Sequence, residues 1–168
     1  MNAPPSLSVV VPVFNSAQTV ERLVGRLVEV LGKIGTHLEI ILVNDGSHDD
    51  SWLRIEEAAT RWENVRGISL MRNYGQHNAL LCGIRAASHE LVVTMDDDFQ
   101  HPPEEIPKLL ASFDDGCDVV YGVPERARHN WLRKLASRLT KLVLETTMGV
   151  PEAVQVSSFR VFRTSLRE

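Results

Sequence analysis

Short apolar runs alternate with stretches of helical periodicity along this 168-residue chain, and no other feature limits its fold as strongly. Leu7–Val13, Leu38–Val43, Val65–Met71, the run that begins at Leu91, and Asp118–Val123 read as strands buried on both faces. Helical patterns lie between them. After Asn15 or Ser16 as cap, Val20, Leu23, Val24, Leu27, Val28 and Leu31 recur at helical spacing. Trp52, Ile55, Ala59 and Trp62 mark the inner face of a helix over 50–62. Further helices are expected over 77–87, 104–113 and 130–147, and a last extended piece over 154–162. Such alternation predicts the α/β class, a mostly parallel sheet with helices on both faces. In that architecture the loops after the strands gather at one sheet edge, where ligands bind. The polar clusters at 14–15, 45–46, 72–76, 96–100 and 122–126 are therefore expected to meet.

The fourth strand runs straight into Asp96-Asp97-Asp98, with Phe99-Gln100-His101-Pro102-Pro103-Glu104 behind it. On an extended backbone Asp96 and Asp98 would point to one side and Asp97 to the other. Adjacent carboxylates repel, so a cation is expected among them. Hard oxygen ligands that the protein only partly satisfies suit Mg²⁺ or Mn²⁺ carrying a substrate phosphate. The alternative is a solvated acidic turn. No G-x-G-x-x-G follows the first strand and no G-x-x-x-x-G-K-[ST] occurs, so a bound nucleotide lacks a glycine cradle for its diphosphate. A divalent ion on Asp96, Asp98 and Gln100 would supply the counter-charge. Neither a Ser-His-Asp set nor zinc-type spacing competes for the role.

Charge is unevenly spread. The net charge is -4, yet between Pro124 and Lys141 six basic residues stand against Glu125 alone, leaving 12 basic and 21 acidic residues elsewhere. A basic segment on an acidic body points to a local anionic partner and away from nucleic acid. No apolar run reaches the roughly 20 residues of a membrane-spanning helix. Cys82 and Cys117 have neither metal-ligand nor disulfide-framework spacing and read as reduced thiols of a cytoplasmic protein. The oligomeric state is left open, a homo-oligomer included.

Four segments carry a family resemblance: Val-Pro-Val-Phe-Asn at 11–15, Val-Asn-Asp-Gly-Ser at 43–47, Arg-Asn-Tyr-Gly-Gln-His at 72–77 and Met-Asp-Asp-Asp-Phe-Gln-His-Pro-Pro-Glu at 95–104. In this order they resemble family 2 glycosyltransferases of the GT-A (Rossmann-like) fold. The branch they resemble moves a sugar from a nucleotide to a polyprenyl phosphate, and within it the bacterial undecaprenyl-phosphate transferases of the amino-arabinose type. The 72–77 segment and Trp131-Leu132-Arg133-Lys134-Leu135-Ala136-Ser137 point to that subgroup. The resemblance implies one catalytic domain over 1–168. It implies that Pro12, Phe14 and Asn15 line a nucleotide pocket, that Asp45 accepts a hydrogen bond from the base, and that Arg72 frames the pocket. Asp96, Asp98 and Gln100 would hold the metal, Asp97 would touch the donor, and Asp98, Asp96 and Arg160 would be catalytic. A UDP-sugar is the favoured donor. Relatives of this type continue into interfacial and membrane-spanning helices, and none is present here, so a truncated donor-binding domain without turnover is a further reading.

Two departures bear on the acceptor. Asn15-Ser16 replaces the Asn-Glu of many relatives, and Ser157-Ser158 stands before Phe159-Arg160 where many have an acid. A sugar hydroxyl acceptor would need a general base there. A lipid monophosphate, with a second pKa of about 6, is already an anionic nucleophile at neutral pH. The missing acid favours the phosphate over a saccharide hydroxyl. Leu132, Leu135, Leu139 and Leu142 form one stripe of the 130–147 helix, with Arg133, Lys134, Arg138 and Lys141 off it. Such a helix suits the cytoplasmic membrane surface, or else packs its leucines on the sheet. Arg126, Arg128 or Arg133 would meet the acceptor phosphate.

Overall fold

The computed structural model describes residues 6–35, 37–113, 116–122 and 157–167. They build one compact unit, Met1–Gly122 with Ser158–Glu168, apart from Ser157, which belongs with Val123 and the residues between. Its strands are β1 (Leu7–Val13), β2 (Leu38–Asn44), β3 (Val65–Ser69), β4 (Leu91–Thr94), β5 (Val119–Tyr121) and β6 (Arg160–Arg163). Its helices are α1 (Ala17–Gly32), α2 (Ser51–Arg61), α3 (Gln76–Ala86) and α4 (Ile106–Ala111), the last entered through a 3-10 turn at Pro103–Glu105. The expected helices over 77–87 and 104–113 are thus present, the second shortened by Pro103 and Pro107 near its start. The 130–147 helix, the residues 154–156 and Arg126, Arg128 and Arg133 lie outside the described residues.

The strands form one sheet in the order β3-β2-β1-β4-β6-β5. The β1 strand pairs in parallel with β2 and with β4, and β2 with β3; β6 runs antiparallel to β4 and β5. Buried on both sides, β1 explains its unbroken apolar run. Its Leu7, Val9, Val11 and Val13 join a core with α1, α2 and α4 residues, while Val10 faces α3. A Cβ added to Gly83 of α3 would lie 2.3 Å from Val10 Cγ1, so α3 rests directly on the sheet. β3 stops two residues short of expectation. Leu70 N–H still bonds Asn44 O at 2.9 Å, but Met71 is 97% exposed and continues no strand.

The opposite, amino-terminal edge carries a polar hub. Glu39 Oε1 accepts hydrogen bonds from Ser8 Oγ (2.5 Å), Ser88 N–H (2.6 Å) and Ser88 Oγ (2.8 Å), and Arg66 lies 3.2 Å from Oε2. Burial pushes this carboxyl up, but those partners outweigh it and hold it below the ordinary 4.5.

Candidate active site

All four parallel strands end at one edge, which brings the loops after β1, β2, β3 and β4 together. The loop after β2 is the joint. Gly46 has φ +66°, and a Cβ there would sit 2.4 Å from Arg72 C and 2.5 Å from Asn73 N, an approach that only glycine allows. The contact delivers the next loop to Asp45, a residue only 2% exposed. Asp45 Oδ1 accepts Tyr74 N–H (2.8 Å) and Oδ2 accepts Gly75 N–H (2.9 Å). The residue expected to read a base therefore also shapes the 73–75 turn.

The acid run is sorted by its surroundings. Strand pairing ends at Thr94, so the two-sided alternation expected of the three aspartates is lost, and all three border one cleft. Asp96 is held at both oxygens, by Gln76 Nε2 on Oδ1 and Ser158 Oγ on Oδ2, each at 2.5 Å. Asp98 is exposed, and its Oδ1 accepts Gln100 N–H at 2.9 Å. Asp97 is half-buried, and its Oδ2 has no partner among the described residues. Burial above all, against a hydrogen bond from Ser16, and then the charges of Asp98 and Asp96, hold its carboxyl above the ordinary 3.8. Phe99 follows with φ 59°, a strained conformation for a bulky side chain. The guanidinium carbons of Arg22 and Arg26 sit 4.3 and 5.5 Å from its ring centre and help hold it there.

The cleft encloses about 290 Å³. Of the residues expected there, it is lined by Pro12, Phe14, Asp45, Asp96, Asp97 and Asp98. Asn15 is not among its lining residues: it sits at φ 52° with Oδ1 accepting His48 N–H at 2.8 Å. Arg72 is exposed, its guanidinium 4.9 Å from the Tyr74 ring centre, and Gln100 is exposed beyond the cleft. Arg160 lies on β6 opposite Thr94, with its Nε buried and unpartnered among the described residues. Sequence reasoning missed Val13, Asn73 and Gln76, which complete the lining, and Ser158, which holds Asp96. Val13, Asn73 and Gln76 all lie inside the segments that carry the family resemblance. The only signal for Ser158 in the sequence is that it stands where many relatives have an acid.

The donor set is compatible with a divalent ion that arrives with a substrate. Among the described residues no three His, Cys, Asp or Glu form a ready cage. Mg²⁺ commonly takes one or two carboxylates and completes its shell with water and phosphate oxygens. Asp98 and Asp96 border the same cleft as the unpartnered Asp97 oxygen, and as two carboxylates open to a substrate's phosphate they fit that mode.

The sequence pattern described as "Glycosyl transferase family 2" matches residues 8–167. An undecaprenyl-phosphate 4-deoxy-4-formamido-L-arabinose transferase from Enterobacter sp. (strain 638) is 41% identical over 144 residues, which cover 85% of this chain and 44% of that protein. Its namesake from Edwardsiella ictaluri (strain 93-146) is 38% identical over 161 residues, covering 95% and 50%. The chain thus spans about half the length of these curated relatives. Among solved structures, glucosyl-3-phosphoglycerate synthase from Mycobacterium tuberculosis, in complex with Mn²⁺, UDP-glucose and phosphoglyceric acid, aligns with a TM-score of 0.69 at 20% identity, over 96% of this chain and 58% of that one. A mannosyltransferase from Pyrobaculum calidifontis, in complex with GDP-Man and Mn²⁺, gives 0.63 at 21%, over 73% and 36%. At these identities the likeness is one of fold.

Proposed function

The chain belongs to glycosyl transferase family 2 and has the GT-A fold, and on that premise we propose that it moves a sugar from a nucleotide-sugar donor, a UDP-sugar favoured, to a polyprenyl phosphate with inversion. The observation that carries this reading is the cleft itself. Pro12 and Phe14 at the end of β1, Asp45 after β2 and Asp96, Asp97 and Asp98 after β4 border the same 290 Å³ space. Pro12 and Phe14 offer an apolar wall to a nucleoside. Asp45, though bonded to two amides, keeps lone pairs with which to accept from a base. Asp96 is oriented by Gln76 and Ser158 before any donor enters. Asp98 and Asp96 would hold Mg²⁺ or Mn²⁺, which when bound offsets the charge of the leaving diphosphate.

In this reading an acceptor phosphate oxygen attacks the anomeric carbon opposite the diphosphate. One C–O bond forms as the other breaks, and the electron pair leaves on the nucleotide. No proton has to move, which suits a site where Ser158 stands before Phe159 and its hydroxyl donates to Asp96. Arg160, on β6 opposite Thr94, is the proposed catalytic cation, and Arg126, Arg128 or Arg133 the proposed contact of the acceptor phosphate. The lipid acceptor would bring the protein to the inner face of the cell membrane; among the described residues no helix is long and apolar enough to cross one. The relatives named for undecaprenyl phosphate favour this acceptor over a saccharide hydroxyl. Offering undecaprenyl phosphate and free saccharides side by side with one labelled UDP-sugar tests it. Label is expected in the lipid, and product on the saccharide alone would overturn the acceptor assignment.

A further inference from the structure

The loop after β2 and the first residue of α2 hold more polar side chains than the cleft uses. Asp45 borders the cleft, but Ser47, Asp49 and Ser51 do not. They reach instead to the loop after β1. Asn15 N–H donates to Ser47 Oγ (3.0 Å), Ser16 N–H to Ser51 Oγ (2.8 Å) and Ala17 N–H to Asp49 Oδ2 (3.0 Å). Asp49 Oδ1 accepts Ser51 N–H at 3.0 Å and the Ser51 hydroxyl as well. Ser51 is fully buried. Burial pushes the Asp49 carboxyl up, but the hydrogen bonds from Ser51 and Ala17 outweigh it and keep it below the ordinary 3.8.

Three successive amides at the start of α1 are thereby occupied. In α/β nucleotide-binding folds the helix after the first strand often presents such amides to phosphate. Here the chain's own side chains take that place, two serine hydroxyls and the Asp49 carboxylate. The loop so held carries Phe14, which is 43% exposed and so gains little from burial, and Asn15, at φ 52°. Hydrogen bonds must therefore fix what packing does not. They also set the Ser16 hydroxyl between Phe14 O, 3.1 Å away, and the Asp97 carboxylate.

We propose that Asp49 and Ser51 are positioning residues, which clamp the start of α1 so that Phe14 stands ready at the cleft wall to receive the donor. The proposal rests on reading the cleft as the donor site. Asp49→Asn is the sharp probe: it is isosteric, can keep an acceptor towards Ser51, and turns an amide NH₂ towards Ala17 N–H. UDP binding to the full chain with Mn²⁺ is measured by calorimetry, thermal unfolding by circular dichroism, and turnover with a UDP-sugar and undecaprenyl phosphate. UDP affinity should fall about tenfold, the scale of one hydrogen bond to a charged group. Donor KM should rise in the same proportion with kcat little changed, since the wall binds ground state and transition state alike. Ser51→Ala should do the same with Asp49 intact, and it carries the test should Asp49→Asn not fold. Unchanged UDP affinity, or a lowered Tm with unchanged donor KM, would overturn the clamp alone. A wild-type chain that binds no UDP would overturn the donor-site reading, and the clamp with it.

Discussion

Three identical residues in a row have three different environments. Asp96 is held at both oxygens, Asp97 is half-buried with one oxygen unpartnered, and Asp98 is exposed with one oxygen bonded to a backbone amide. A run of aspartates cannot reveal this, because the difference comes from Gln76, Ser16 and Ser158, which are remote in sequence. Asp98 has the least to lose structurally. Asp98→Ala removes one turn hydrogen bond and relieves part of the charge that raises the Asp97 carboxyl. Its unfolding free energy should change by no more than about 1 kcal/mol, while transfer falls by at least about 100-fold. A melting curve and a turnover assay on the same preparation check both. A large drop in Tm would make Asp98 a structural residue.

Among the elements, the loop after β2 governs the site edge and Glu39 governs the other. Glu39 ties β1, β2, β3 and the segment after α3, since Ser8, Arg66 and Ser88 all meet its carboxylate. Glu39→Ala should cost about 2–3 kcal/mol, since it leaves Ser88 N–H and the Ser8 hydroxyl without their anionic acceptor. Chemical denaturation at neutral pH measures it. The sign with pH follows from the lowered folded pKa. The stabilisation is fully present above the ordinary 4.5 and is lost as pH falls from there through the folded value. Glu39→Gln should therefore flatten the stability profile in that acid window and leave its neutral limb parallel to wild type. The hub was not legible in advance. A glutamate at the start of an apolar strand looks like an edge charge until the fold sets Ser88 and Arg66 beside it. Strand ends were blurred for a related reason: Leu70 and Met71 look like a continuation of β3, but β2 offers no partner beyond Asn44.

At the scale of the molecule, a donor that binds the assembled cleft and not the unfolded chain should raise stability by mass action. UDP at about 100 times its Kd with Mn²⁺ adds about 2.7 kcal/mol, or roughly 5–10 °C in Tm for a chain of this size. The shift should shrink strongly in EDTA, and an equal shift without metal would remove the ion from the site. The α/β class, both-face burial and the meeting of the loops after β1, β2, β3 and β4 were readable from the chain alone, because apolar periodicity and turn residues are local properties; the fifth expected cluster, 122–126, lies outside the described residues from 123 on. So was the acid run at a strand's end. What only the tertiary structure decided was contact between distant residues. It reversed β6 between β4 and β5, closed the Gly46–Arg72 approach, added Asn73, Gln76 and Ser158 to the site and left Asn15, Arg72 and Gln100 off the cleft wall. Hydrogen bonds spanning 20 to 62 residues leave no periodic trace in the chain, and folding alone brings their two ends together.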